Sequence, residues 1–439
     1  TLARELDDLG GQWQACIDLG MLWASRDYER TQDYYQRALD VARRMGDQTI
    51  LAHTLNRIGN LEVNISLPLV SEARHQEALE IFQKLGDETG IAETLDYLAM
   101  TCLLSARNVQ GHKYGQEAAR LFLSQGDELR LASTLATSGM RGANLESMHI
   151  SNTEENSQVI LQDAIQALRL ADNIGWRSGS AFAQISMASV FGVAGEFGKA
   201  VSAAQDAVRI AEEIGHEQWA LAGKAMLGAV MLEMLNPEDA IGELKDAEQL
   251  ADRSNSLHWH NTVTGFMAVA WIDLKDYDTA RALLESNWPN VSQPRSLSEG
   301  KLWFAMSELD AAQGDYESAL KLVQSLVESS PDTKAGNPVP RLGLIQGRCF
   351  SRLGIDTQAQ AILRQSLSVC EEQGSSSITW RLHRELAEVQ RRLGYADAAA
   401  QSMQAAERLV DSLAESIHNP KHRHVFRRRA ARRLTTSSR

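Results

Sequence analysis

Several things are missing from this chain, and each absence narrows what it can be. Cysteine is scarce: four residues, Cys16, Cys102, Cys349 and Cys370, none at paired or metal-ligand spacing. That excludes a disulfide framework and a zinc ribbon, and it fits small core residues of a reduced, cytoplasmic protein. No apolar run approaches the roughly 20 residues of a membrane-spanning helix. The sequons Asn64-Ile-Ser66 and Asn290-Val-Ser292 carry little weight without a signal peptide. No nucleophile elbow and no dinucleotide fingerprint is present. Gly192-Val-Ala-Gly-Glu-Phe-Gly198-Lys199-Ala200 resembles a phosphate loop, but its spacing is one residue too long and alanine stands where a hydroxyl should hold magnesium. His216-Glu217-Gln218-Trp219-Ala220 lacks the second histidine of a zinc-protease helix, and His258 and His260 at i and i+2 diverge on a helix. His418, His422 and His424 sit among cations that disfavour a metal. No catalytic residue, cofactor or metal ligand is expected, so the chain does not read as an enzyme.

What is present is a repeat. Alanine recurs at 200, 240, 280, 319, 359 and 399, in steps of 40, 40, 39, 40 and 40. Extended backwards, the register passes through Ile160, Gly111, Ser71 and Thr31, with one step of 49 and otherwise 40. About ten copies of one unit result, and a fixed period in this range signals stacked supersecondary units. From Ala78 to Leu95, apolar residues fall at helical spacing, are broken by Gly86-Asp87, and resume. Glycine suits a left-handed C-cap and aspartate an N-cap. The same pair recurs at Gly46-Asp47 and Gly126-Asp127, altered to Gly175-Trp176 and Gly215-His216. The other junctions are also turns, such as Gly314-Asp315-Tyr316 and Asn236-Pro237, so each unit is two antiparallel helices.

Small residues mark the helix contacts. Twelve positions before the repeating site stand Gly59, Ala188, Gly228, Ala268, Ser307, Gly347 and Ala387; seven after it stand Ala38, Ala78, Ala118, Ala167, Ala207, Ala247 and Ala406. A bulky residue lies between, as Tyr35, Phe82, Phe122, Leu244, Leu284 and Leu363. Small side chains let helices approach closely. This small–bulky–small pattern resembles the tetratricopeptide repeat (TPR), with Trp303 at that family's tryptophan site. The resemblance covers roughly residues 10–415. Its unit is 40 residues where the common one is about 34, a length that HEAT-type units share; the Gly-Asp turn and the small-residue triplet favour the TPR form. The resemblance implies an all-α, right-handed superhelix of about ten helical hairpins, over residues 1–416, followed by a basic tail at 417–439.

An ordinary chain of 439 residues would suggest two or three domains. Here the repeats make one solenoid instead. Thr1 falls inside a helical pattern without an initiator methionine, which suggests a fragment of a longer protein. The rhythm breaks at about nine extra residues within 141–156, at 286–299 with Pro289 and Pro294, and at 329–341 with Pro331, Pro338 and Pro340. The prolines shorten a helix and lengthen the loop after it. Insertions in repeat arrays fall on one face, often the binding face, but drift in a tolerant loop is the simpler reading.

Charge is uneven. The net charge is −13, yet residues 417–439 hold eight Lys or Arg and no acid, so the remainder carries −21. An acidic solenoid is not a nucleic-acid-binding domain. The tail, expected to be partly disordered, could touch nucleic acid, an anionic membrane or the acidic body itself.

The first helix of each unit lines the groove in TPR arrays. Asn56, Asn60 and Asn64 form an i, i+4, i+8 stripe on one face, and asparagine can both donate to and accept from a peptide backbone. The resemblance to 40-residue arrays supports that role, against a merely solvated stripe. Lys301, Arg341 and Arg381 stack forty residues apart, with Arg348 and Arg384 nearby. Such a column would grip an acidic peptide or carboxylate, unless groove glutamates such as Glu308 and Glu388 pair with it. Phe182, Ile185, Ala222 and Ala225 give an apolar floor between the two. Trp219 and Trp259 share one repeat position, as exposed anchors or as core.

The closing stretch from Ala405 to Phe426 is similar to the end of the MalT-like repeat regions of bacterial signalling ATPases and transcription regulators, with Lys421 where an acid would stand. Together these readings give a peptide- or protein-binding scaffold, or the sensor of a larger regulator with its ATPase or output domain in the same parent chain. The alternative is a peptide-pheromone or small-ligand receptor of the quorum-sensing type.

Overall fold

The computed structural model describes residues 5, 7–24, 26–141, 145–147, 155–330 and 338–435. Among them the regular structure is α-helix throughout. The helices pair in order. The first five hairpins are α1 (Leu9–Trp23) with α2 (Tyr28–Met45), α3 (Gln48–Asn64) with α4 (Pro68–Leu85), α5 (Glu88–Leu104) with α6 (Asn108–Gln125), α7 (Glu128–Ser138) with α8 (Ser157–Asn173), and α9 (Arg177–Ala194) with α10 (Phe197–Glu213). Next come α11 (Glu217–Glu233) with α12 (Pro237–Ser254), α13 (Leu257–Asp273) with α14 (Tyr277–Ser286), and α15 (Leu297–Gln313) with α16 (Tyr316–Ser329). The last are α17 (Pro340–Arg352) with α18 (Asp356–Gln373), and α19 (Ser376–Arg392) with α20 (Ala396–Ser416), followed by α21 (Pro420–Thr435). The expected helical hairpins are therefore present.

The recurring positions explain the pairing. Every residue of the repeating register, from Thr31 to Ala399, is buried, as are Tyr35, Phe82, Phe122, Leu244, Leu284 and Leu363. The bulky residue of the second helix enters the notch left by the small residue of the first. A Cβ on Gly228 would lie 2.6 Å from Leu244 Cγ, and one on Gly347 2.5 Å from Leu363 Cγ, so no larger residue fits. Between hairpins, Gly46, Gly86 and Gly126 turn the chain at positive φ. The aspartates after them cap the next helix, Asp47 accepting from the Ile50 amide at 3.1 Å and Asp87 from Gly90 at 3.0 Å. The short α14 stops before Pro289 and Pro294. Residues 331–337, with Pro331, lie outside the described residues, as does most of the insertion within 141–156.

The first helix of each hairpin, the odd-numbered α1 to α19, faces inward and the solenoid closes on itself. The Gln218 side chain donates to Asn64 Oδ1 at 3.2 Å, the Ser66 and Ser298 hydroxyls meet at 3.2 Å, and the Asn156 amide donates to the Glu372 carbonyl at 2.9 Å. Ser416 donates to the Gly195 carbonyl at 2.8 Å. Gly195, once read against a phosphate loop, is thus the left-handed cap of α9 and a clasp to α20. Leu145, Glu146 and Ser147 run through the interior. The Leu145 amide donates to Ser189 Oγ at 2.9 Å, and a Cβ on Gly192 would strike Leu145 Cδ1 at 2.5 Å. This described part of the insertion is turned inward rather than displayed on an outer loop.

The basic tail lies against the acidic body along α21. Phe426 is fully buried against Phe197, edge to face at 5.9 Å. Arg429 donates to the Leu235 carbonyl at 2.7 Å and pairs with Glu238; Arg433 pairs with Asp273 at 2.9 Å and His422 with Asp239 at 3.1 Å. A buried aromatic on one face of the helix supplies the driving force that charge counting does not reveal.

Candidate functional site

Successive inward helices carry equivalent residues forty positions apart, and their side chains enclose a chamber of about 460 Å³. Asn60 and Asn64 come from α3, Asp96, Tyr97 and Met100 from α5, Ser133 and Thr137 from α7, Phe182 from α9, Gln218 and Trp219 from α11, and His258 and Trp259 from α13. Met21, Tyr28 and Tyr35 close one end, and Glu146 of the inward segment borders the other. The lining is aromatic and apolar, with a few polar groups pointing in, which is the usual make-up of a ligand pocket of this size.

The aromatic wall is rigid. His216 and Phe182 both stack on Trp219, with centroids at 5.2 and 4.7 Å and nearly parallel planes. Trp219 Nε1 donates to Ser178 at 2.9 Å. His216 caps α11, accepting from the Trp219 amide at 3.2 Å, and burial pushes its pKa down to about 4, so the ring is neutral at physiological pH. Trp259 is buried edge-on to His258, which pairs with Glu146 at 2.9 Å. Neither tryptophan stands out as an exposed anchor; both are wall.

A polar ladder crosses these helices. Asn56 donates to Thr94 at 2.8 Å and meets His75 Nδ1 at 2.9 Å. Forty residues on, Asp96 holds the same register and hydrogen-bonds Thr134. Asn56 is thus buried inside the array, away from the chamber. His75 sits over Gly59, where a Cβ would lie 2.6 Å from its ring, and burial drives its pKa down to about 3. Asn60 and Asn64 do reach the chamber. The Asn64 amide donates to the Asn60 carbonyl at 2.7 Å, and its Oδ1 takes the Gln218 bond.

Asp96 is the residue the sequence reading passed over. Its Oδ1 is covered and has no hydrogen-bond partner among the described residues. Burial pushes the carboxyl up to about 7, with Thr134 and Arg130 opposing and Glu93 reinforcing. Because the folded value lies above the unfolded one, Asp96 costs stability progressively as pH rises through about 7. Asp96→Asn is therefore expected to melt at a higher temperature than the parent at pH 8, with a smaller gap at pH 5. A constant gap in calorimetry would show that the carboxyl is not held in this state.

The stacked cations lie on the other side of Leu145. Glu233, at the end of α11, receives Arg341 in a short ion pair and Arg381 at 3.7 Å. Burial pushes the Glu233 carboxyl up, but Arg341, Arg381 and Lys301 outweigh it and hold it below its ordinary value. Lys301 donates to the Leu145 carbonyl at 3.3 Å and lies 4.3 Å from the Phe266 ring centre; burial, with Arg341, pushes it down to about 7. Burial also lowers Arg381, to about 10. Arg348 bonds Glu308 at 3.0 Å, and Arg384 bonds Glu385 at 2.5 Å. The structure brings Lys301, Arg341 and Arg381 together, but as a buried cluster around one acid. The cavity beside it holds about 30 Å³, room for little more than a water.

Among the described residues no cluster of histidine, cysteine or acidic groups could hold a metal, and no helix is long and apolar enough to cross a membrane. The four cysteines are free thiols, three of them buried.

The family model of the MalT-like TPR region matches residues 157–377, just over half the chain. Among solved structures, a Rap protein complexed with competence and sporulation factor aligns at 11% identity and TM-score 0.50, over 93% of this chain and 99% of that one. The quorum sensor NprR from B. thuringiensis, in its apo form, aligns at 12% identity and TM-score 0.39, over 93% and 99%. A STAND protein (signal transduction ATPase with numerous domains) with a tetratricopeptide repeat sensor, from Pyrococcus horikoshii, aligns at 14% identity and TM-score 0.41, over 69% of this chain and 52% of that one. This chain thus spans about half the length of that protein. No curated protein matches it.

Proposed function

We propose that this chain, which belongs to the MalT-like TPR region family, is the ligand-sensing part of a larger signalling protein. It is a TPR-type scaffold. Its ligand is a small molecule or a short peptide segment held in the chamber between its inward helices. The observation that carries this reading is the enclosure: about 460 Å³, walled by residues of many successive repeats and capped by the first hairpin. A ligand there contacts several repeats at once, so occupancy reports on the curvature of the whole array. Asn60, Asn64 and Gln218 supply donors and acceptors on the rim of an aromatic wall, the arrangement that orients a ligand within an apolar site. Lys301, Arg341, Arg348, Arg381 and Arg384 act in this reading as braces of the array, through Glu233, Glu308 and Glu385. Free thiols suit a reducing cytoplasm.

Filling the chamber tests the proposal. Ser133 lines it and is only half-buried, so Ser133→Trp can project into the space without disturbing a packed core. A thermal-shift screen of metabolites and short peptides should yield compounds that raise the Tm of the parent and leave Ser133→Trp unmoved. Compounds that stabilise both equally bind elsewhere, and the chamber would then not be the site.

A further inference from the structure

We infer that the chamber selects a cationic ligand, an ammonium or guanidinium joined to an apolar or aromatic body, and that Asp96 is its anchor. The inference rests on the chamber reading and names the class of ligand. Three observations converge. First, among the described residues, those lining the chamber include Asp96 and Glu146 and no lysine or arginine. Glu146 is already engaged by His258 at 2.9 Å. His216, the other titratable base on the wall, spends a ring nitrogen on the Trp219 amide. Asp96 is therefore the acid left to answer a ligand's charge. Second, its Oδ1 is covered by protein and has no partner among the described residues, although Thr134 supports the carboxyl. A buried carboxylate with an unmet acceptor is costly to maintain, and a cationic N–H at the chamber wall beside it offsets that cost. Third, the surrounding surface is what an organic cation needs. Tyr97, Trp176, Phe182 and Trp219 place aromatic rings on the lining, and Met100 and Met140 add polarisable apolar surface. In a site of low polarity a charge-assisted bond outweighs its counterpart in water.

The cations that might have competed for Asp96 are occupied elsewhere. Arg130 is bound to Asp127 at 2.6 Å, and Arg57 donates to the Tyr97 hydroxyl at 3.0 Å. The register explains how the site arose. In the preceding repeat the same position is Asn56, whose amide is fully used by Thr94 and His75. One repeat later the residue is an acid and there is no histidine to meet it: the position of His75 on α4 corresponds to Gly115 on α6. The substitution leaves a carboxyl on the chamber wall with one oxygen unpartnered among the described residues.

The test uses the whole chain and a complete set of N-acetylated dipeptide amides, whose only charges are on side chains. Binding is read by calorimetry at pH 8 on the parent, Asp96→Asn and Ser133→Trp. Asp96→Asn keeps size and shape and removes the charge. The expected result is that dipeptides pairing Arg or Lys with an aromatic residue bind the parent best. They should bind Asp96→Asn at least tenfold more weakly and Ser133→Trp not at all. If neutral or acidic dipeptides bind as well as cationic ones, or if Asp96→Asn binds them unchanged while Ser133→Trp blocks them, the anchor assignment fails and the chamber stands. If no dipeptide binds, or if binding survives Ser133→Trp, the chamber reading falls and this inference with it.

Discussion

Replacing Glu233 by glutamine is expected to lower the unfolding free energy by about 3–5 kcal/mol, the cost of stranding buried charge. Glu233 is 5% exposed and faces Arg341, Arg381 and Lys301. Without it, three cations remain around a neutral amide in a space with room for little more than a water. Lys301 can relieve part of the repulsion by losing its proton, since burial already holds it at about 7. The arginines cannot. Urea titration followed by circular dichroism measures the loss; a change below about 1 kcal/mol would mean that solvent reaches the cluster and screens it. The same geometry changes what a charge-reversal experiment reports. Arg341→Glu or Arg381→Glu would set a second acid beside Glu233, so lost stability would precede any change in ligand preference.

The second large effect concerns the tail. Phe426→Ala is expected to cost about 3–5 kcal/mol at the junction of α21 with the body, the usual range for an aromatic removed from a core. The ion pairs of Arg429, Arg433 and His422 link the same surfaces, but with partly exposed partners. Such pairs contribute about 0–1 kcal/mol each and weaken with salt. The aromatic therefore dominates. Hydrogen exchange across residues 420–435 should rise sharply in Phe426→Ala, whereas 0.5 M salt should leave the parent protected. Release by salt alone would reverse that ranking.

The fold was legible because its cause is local. Close helix contacts need small residues at fixed offsets, and Gly228 facing Leu244 or Gly347 facing Leu363 leaves that need in the sequence as a period. Turns were legible for the same reason, since Gly86 and Asp87 do their work within a few residues. The interior was less legible because it depends on where one superhelical turn meets the next. That position is the sum of many small rotations, and no single repeat encodes it. Asn60 and Asn64 were read onto the groove face and do reach the chamber, while Asn56, one turn earlier on the same stripe, is taken up by His75 from the neighbouring helix. The cations were found by their spacing, but their acid was not. Glu233 closes the apolar run Leu227-Gly-Ala-Val-Met-Leu232, and Asp96 interrupts another, Thr94 to Leu104, with a single charge. A lone acid in or beside an apolar stretch of an inward helix was the available signal for both.

The bonds joining residues 154 to 232 positions apart also set a timetable for synthesis. An ordinary helical array can settle hairpin by hairpin as it leaves the ribosome, because each unit leans only on its neighbours. Here Ser66 must wait for Ser298. At about 5–20 residues per second that interval is roughly 10–50 seconds. Until residues 176–259 have followed, Met21, Tyr28 and Tyr35, which later close the chamber, lack most of their opposite wall. The nascent chain thus carries an open aromatic trough before it carries an enclosed chamber.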